Sequence, residues 1–192
     1  MINQKYNQEF TLFLDRDGVI NKRLPGQYVR LWQDFLFLPG VLQSIATCSK
    51  IFGRLIVITN QQGIGKGLMT PEELETVHQK MLQSIQKAGG RIDAIYYCPD
   101  LRSQQHNCRK PSPQMALQAK KDFPDINFSK SIMIGDSASD IQFGEQLGME
   151  TVFISSNLEE VKKITQIKNA LPDHSFYSLQ AWQQYFLPKV SV

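Results

Sequence analysis

Cysteine is scarce in this 192-residue sequence, which holds Cys48, Cys98 and Cys108 and no others. An odd number with no export signal before it argues against a disulfide framework. Cys48, inside a helical apolar pattern, reads as a small core residue. Long apolar runs are missing as well, so no stretch approaches bilayer-spanning length and no membrane partner is expected. Met1 to Glu9 lacks the basic-then-apolar succession of a secretory leader, which makes the cytoplasm the expected location. There is no Lys/Arg block and no basic stripe interleaved with aromatics, so nucleic acid has no support as a partner. Repeats, low-complexity tracts and coiled-coil heptads are absent too, and a monomer is expected on that basis.

What is present describes an ordinary globular protein. A hydrophobic fraction of 42% against 20% charged residues supplies a core for one domain spanning 1–192. The formal net charge of +3 is mildly basic, compatible with small phosphorylated substrates.

The chain is organised around Phe10 to Asn21. An apolar run from Phe10 to Leu14 reads as a buried strand that stops abruptly at Asp15 and Asp17. Alternation lets the two carboxylates share a side, and Gly18 permits a tight turn. Carboxylates this close repel unless a cation or a raised pKa compensates.

The same grammar recurs. Asn21 to Leu38 reads as a loop, from which Tyr28 and Arg30 can reach a ligand; Pro39-Gly40 opens a helix ending near Gly53. Strand Leu55–Ile58 stops at Thr59, Asn60 and Gln61, followed by a glycine-rich segment carrying Lys66. Thr70-Pro71-Glu72-Glu73 supplies an N-cap, a proline at the first helical position and a capping-box glutamate. The helix it starts buries Leu74, Val77, Met81, Leu82 and Ile85, with His78 read as a surface or boundary residue. A strand over Ile92–Tyr97 leads into a loop from Cys98 to Pro111 containing Arg109 and Lys110. Strand Ser131–Ile134 stops at Asp136, with Asp140 four residues on; a helix to about Gly148 and strand Thr151–Ile154 follow. The tail reads as a helix over about Leu158–Ala170, a short apolar run at Ser175–Leu179 and a terminal helix.

Strands alternating with helices imply a doubly wound, Rossmann-like α/β domain with a parallel sheet. Its strand C-termini share one edge, so carboxylates, a lysine, a hydroxyl and an amide from most of the chain meet in one crevice. That inventory suits Mg²⁺ and a phosphoryl group.

The ordered set Asp15-Arg16-Asp17-Gly18, Thr59, Lys110 and Gly135-Asp136-Ser137-Ala138-Ser139-Asp140 resembles the haloacid dehalogenase (HAD) superfamily over about 10–154. More narrowly, Thr59-Asn60-Gln61-Gln62-Gly63 and Cys108-Arg109-Lys110-Pro111 resemble its heptose 1,7-bisphosphate phosphatases, with histidinol-phosphate phosphatases as siblings. The resemblance implies a phosphatase without a large cap domain, serving cell-envelope heptose precursors. Asp15 is the implied nucleophile and Asp17 the acid and base. Mg²⁺ is implied on Asp15, the Asp17 carbonyl and Asp136, with Asp140 behind them, and Thr59 and Lys110 on the transferring phosphoryl group. Arg109, Lys66 and Tyr28 are candidates for the rest of a phosphorylated sugar, and Asn60 and Gln61 for its hydroxyls. A non-catalytic binding module is the alternative from another class; intact Asp15 and Asp17 argue against it.

The family's structural zinc uses Cys-x-His and Cys-x-Cys. Here those positions read Cys98-Pro99-Asp100 and His106-Asn107-Cys108, leaving a rearranged zinc site or a lost one as open alternatives. Ser137 also stands where the family often has lysine, and the loop around Pro25-Gly26 is longer.

Overall fold

A computed structural model of the protein describes residues 5–187. Six strands, β1 (Thr11–Leu14), β2 (Arg54–Asn60), β3 (Ala94–Cys98), β4 (Ser131–Gly135), β5 (Glu150–Ile154) and β6 (His174–Phe176), form one sheet in the order β3-β2-β1-β4-β5-β6. Every pairing is parallel. The helices between them are α1 (Val41–Ile51), α2 (Pro71–Lys87), α3 (Gln114–Asp122), α4 (Ala138–Leu147), α5 (Leu158–Ile164) and α6 (Leu179–Phe186).

Alternating side chains that are buried on both faces explain why the central strands are apolar between their ends. Leu12, Leu14, Leu55, Val57, Ile132 and Ile134 face one layer, packing with Ile45 of α1, Met81 of α2 and Trp182 of α6. Phe13, Ile56, Ile58 and Met133 face the other, against Ala116 of α3 and Phe143 of α4. With both faces covered, no position is left for a polar residue until the strands end. Each fully buried Leu, Ile or Phe contributes about 1.5–3 kcal/mol, so these layers fix the frame on which the strand ends sit.

Local signals mostly give the helices their limits. Thr70 accepts from Glu73 N, and the Glu73 side chain returns to Thr70 N at 2.9 Å, closing the expected capping box with Pro71 in the first turn. Gly148, at φ 69°, ends α4 in the left-handed conformation that favours glycine. The helix expected over Leu158–Ala170 is shorter. It stops at Ile164, and Thr165–Ala170 turns back, with Asn169 at φ 57°, so that Ile164 and Ala170 both pack beside Ile141 and Phe153. The segment Asn21–Leu38 is more ordered than a loop reading implies. Asn21 bridges to Phe37, Trp32–Asp34 forms a 3-10 turn, and Trp32 stacks on Phe35 at 5.1 Å. Among the described residues no helix is long and apolar enough to cross a membrane.

The strand order reverses between β1 and β4: β1 leads outward to β2 and β3, then β4 returns to the other side of β1. This switch point leaves a crevice at the C-terminal edge, directly beyond Leu14 and Gly135.

Candidate active site

The crevice is a cavity of about 910 Å³. Its floor receives Asp15 and Asp17 from β1, Thr59 and Asn60 from β2, Lys110 from the loop after β3 and Asp136 from β4. These are the groups the strand-end pattern brings together.

Lys110 sits at the centre, 4% exposed. Its Nζ lies 2.8 Å from Asp15 Oδ1 and 2.6 Å from Asp140 Oδ1, and donates to Ile58 O at 2.7 Å. Burial would lower the lysine's pKa; the Asp140 and Asp15 charges outweigh it and hold the ammonium form above its usual range. Asp140 is itself fixed by the start of α4, where its Oδ2 accepts from Ser137 N at 3.0 Å. One carboxylate thus caps a helix and aims a lysine.

Asn60 clamps the loop that delivers Lys110. Its Oδ1 accepts from Lys110 N at 2.9 Å and its Nδ2 donates to Lys110 O at 3.4 Å. Both ends of the amide hold backbone, so Asn60 positions the lysine while it also lines the cavity. Gln61 is 1% exposed, and its Nε2 donates to Asp17 Oδ2 and Thr59 Oγ1, both at 2.9 Å.

The oxygens of Asp15, Asp136 and Asp140 gather within 4.8 Å of one another. Burial first, then the neighbouring carboxylates Asp15 and Asp140, raises Asp136 to about 8. Asp15 is raised to about 6, chiefly by burial and only partly offset by Lys110. Three carboxylates around one buried ammonium form an oxygen-only donor set with excess negative charge, the chemistry that fits a hard divalent cation such as Mg²⁺. Asp17 behaves oppositely. Burial would raise it, but Arg16, Asn21 and Gln61 more than offset this and keep it below the usual carboxylate range.

Gly18, at φ 95°, is required twice over. A Cβ there would strike the Asp136 carboxylate, and the backbone conformation itself disfavours any other residue. Gly18→Ala is therefore expected to displace Asp136, lowering activity by about 10²-fold and stability by about 1–3 kcal/mol. Steady-state rates beside urea unfolding check this; a variant matching the unmutated chain in both contradicts the close-approach argument.

Around the mouth the charge changes sign. Arg23, Lys66, Arg102 and Arg109 all line the cavity. Arg23 pairs with Asp136 at 3.2 Å, and Lys66 lies 5.4 Å from the centre of the Tyr28 ring. Arg23 and Arg102 were not singled out by sequence; both lie in loops without periodicity, where only position in the fold marks them. Arg16, Asn21 and His78 were missed as well. His78 is 2% exposed, not at the surface, because it falls one turn after Leu74 on the face that buries Met81 and Ile85.

The cysteine loop departs from expectation. Cys98 and Cys108 form a disulfide with Cα atoms 5.6 Å apart. Asn60 pairs in register with Cys98 and accepts from Lys110 N, tying the strand that holds Cys98 to the segment that holds Cys108. Asp100 joins them, accepting from Cys108 N at 3.0 Å; His106, exposed and at φ 56°, lies outside the group. Sulfurs bonded to each other are not thiolates and do not ligate zinc, although the ligand atoms of Cys98, Asp100 and Cys108 lie within 4.8 Å of one another.

Comparisons with known proteins agree with the geometry. A HAD-hydrolase-like family profile matches residues 107–182. The chain is 37% identical over 147 residues to the D-glycero-alpha-D-manno-heptose-1,7-bisphosphate 7-phosphatase of Mycobacterium bovis, covering 77% of each. It is 34% identical over 183 residues to the D-glycero-beta-D-manno-heptose-1,7-bisphosphate 7-phosphatase of Vibrio cholerae, covering 92% of this chain and 95% of that one. The D,D-heptose 1,7-bisphosphate phosphatase from B. bronchiseptica, solved with magnesium and phosphate, superposes with a TM-score of 0.82 at 29% identity, over 93% of this chain and 98% of that one. With its motifs in order at one sheet edge and these relatives along most of its length, the chain belongs to the HAD-like family of heptose-1,7-bisphosphate 7-phosphatases.

Proposed function

We propose that the protein is a Mg²⁺-dependent phosphatase that removes the 7-phosphate of D-glycero-D-manno-heptose 1,7-bisphosphate through an aspartyl-phosphate on Asp15. The observation that carries this reading is the two-tier charge of the cavity. A carboxylate floor suits a cation and a transferring phosphoryl group, while a rim of Arg23, Lys66, Arg102 and Arg109 suits a second phosphate that stays on the sugar.

Asp15, Asp136 and the Asp17 carbonyl are the groups that would hold Mg²⁺, with Asp140 behind them. Bound there, the ion supplies neutralisation of phosphoryl oxygens. The chain's own groups do the rest. An Asp15 oxygen attacks phosphorus, and the bond to the sugar O7 breaks as Asp17 gives that oxygen a proton. Asp17 stands ionised in the arrangement described; an arriving phosphate places like charge beside it and favours uptake of the proton it then delivers. In the second half Asp17 takes a proton from water, whose oxygen attacks phosphorus and frees Asp15. Thr59 and Lys110 donate to the phosphoryl oxygens, and Lys110 keeps Asp15 in place between turnovers.

Phosphate release from both anomers of the bisphosphate and from histidinol phosphate, with Asp15→Asn alongside, tests the reading. Release from a heptose bisphosphate that is lost in Asp15→Asn is expected. Preference for histidinol phosphate moves the substrate to a cationic monophosphate, and release that survives Asp15→Asn overturns the chemistry.

A further inference from the structure

Between the two reactive carboxylates lies a charged residue with no exposure at all, Arg16. Its Nη2 donates to both oxygens of Asp17, at 3.0 and 2.9 Å, and its Nη1 lies 3.1 Å from His78 Nε2. A guanidinium has donors only, so Nε2 must accept and the ring proton sits on Nδ1. Burial, then the Arg16 charge, pushes the imidazole down to about 3, in keeping with a neutral acceptor. Arg16 Nε has no hydrogen-bond partner among the described residues. The guanidinium is thus held at its tip, between a carboxylate it serves and an imidazole on another element.

Asn21 Nδ2 donates to Asp17 Oδ1 at 2.9 Å, and Gln61 Nε2 to Oδ2. Each amide restrains one oxygen; Arg16 restrains both and so sets the plane of the carboxylate. His78 supplies the second point that fixes Arg16. It comes from α2, whose apolar face is locked into the core, and an edge-on contact with the Tyr97 ring, 6.2 Å between centres, packs against it.

We propose that His78 is a positioning residue for the reaction: by accepting from Arg16 it orients, through that guanidinium, the Asp17 carboxylate that moves the proton at the leaving oxygen. The inference rests on the assignment of Asp17 as acid and base. Without an acceptor at position 78, Nη1 is left buried and unpaired, and the guanidinium turns toward other partners, taking Asp17 with it. The loss falls on proton transfer, not on phosphate binding, so it depends on how much help the leaving group needs.

His78→Leu, His78→Gln and Asp15→Asn are compared on heptose 1,7-bisphosphate and on p-nitrophenyl phosphate, whose phenolate leaves without a proton. For His78→Leu, kcat/KM on the sugar bisphosphate falls by about 10²-fold, the low end of what acid catalysis supplies, with most of the loss in kcat. The loss on the aryl phosphate is smaller by about tenfold. His78→Gln, whose amide oxygen can accept from Arg16, recovers most of the difference. Equal losses on both substrates, tracking any fall in melting temperature, mean a structural role only and overturn the proposal, as does a His78→Gln variant no better than His78→Leu. Activity that persists in Asp15→Asn identifies instead a failure of the underlying mechanism, and the proposal falls with it.

Discussion

Replacing Lys110 with methionine is expected to lower phosphate release by about 10³-fold or more and to destabilise the fold by about 3–5 kcal/mol. The methionine keeps the length of the stem, so what is removed is the ammonium. Two carboxylates, Asp15 and Asp140, lose the partner 2.8 and 2.6 Å away at positions where both are buried. Asp15 relieves the repulsion by taking a proton, and a protonated carboxyl is a poor nucleophile. The stability and activity losses therefore share a cause but not a remedy. Adding Asp140→Asn to Lys110→Met removes one of the stranded charges and is expected to recover part of the stability while leaving the enzyme inactive. Urea unfolding and steady-state rates on the two variants check this; a single variant with an unchanged midpoint contradicts the buried-charge argument.

Asp136→Asn is expected to move the two properties in opposite directions. The substitution keeps the shape and deletes one of three crowded negative charges. Burial and the carboxylates of Asp15 and Asp140 already make the ionised form unfavourable at this position. The metal-free protein should gain about 1 kcal/mol, with only the exposed Arg23 losing a pairing of little worth. Activity should drop by about 10³-fold, because the donor set that fits Mg²⁺ has lost a charged ligand. Added Mg²⁺ should stabilise the unmutated chain by mass action and barely shift the melting temperature of the variant. A variant both less stable without metal and still stabilised by Mg²⁺ contradicts the assignment of Asp136. This is the familiar tension between function and stability, located on one carboxylate.

The frame and the polar groups that line the crevice are legible because they depend on local signals. Apolar runs that end in polar residues mark parallel strands meeting a crevice, and the positions of Asp15, Asp17, Thr59, Asp136 and Asp140 follow from that rule, while Lys110 arrives from the loop after β3. The α2 start was readable from Thr70, Pro71 and Glu73 for the same reason: caps act within four residues. What escaped depends on contacts between distant segments. Arg16 reaches back onto Asp17 and across to His78, 62 positions away in sequence. The spacing of His78 from Leu74, Met81 and Ile85 is a local signal of its burial, although its polar type points to the surface. The amides of Asn60 and Gln61 also have partners that no local pattern reveals, Asn60 on Lys110 and Gln61 on Asp17 and Thr59. The disulfide reverses an argument from cysteine count and setting, since neither reveals that the loop after β3 folds back to bring Cys108 beside Cys98.

The central claim is that Asp15 carries the phosphoryl group. Enzyme quenched in acid during turnover of heptose 1,7-bisphosphate and treated with borohydride, which reduces an aspartyl-phosphate to homoserine, tests it most directly. The account predicts homoserine at position 15 in the treated protein and aspartate there when substrate is withheld. Aspartate retained at position 15 during rapid turnover, together with phosphate release that survives Asp15→Asn, contradicts it.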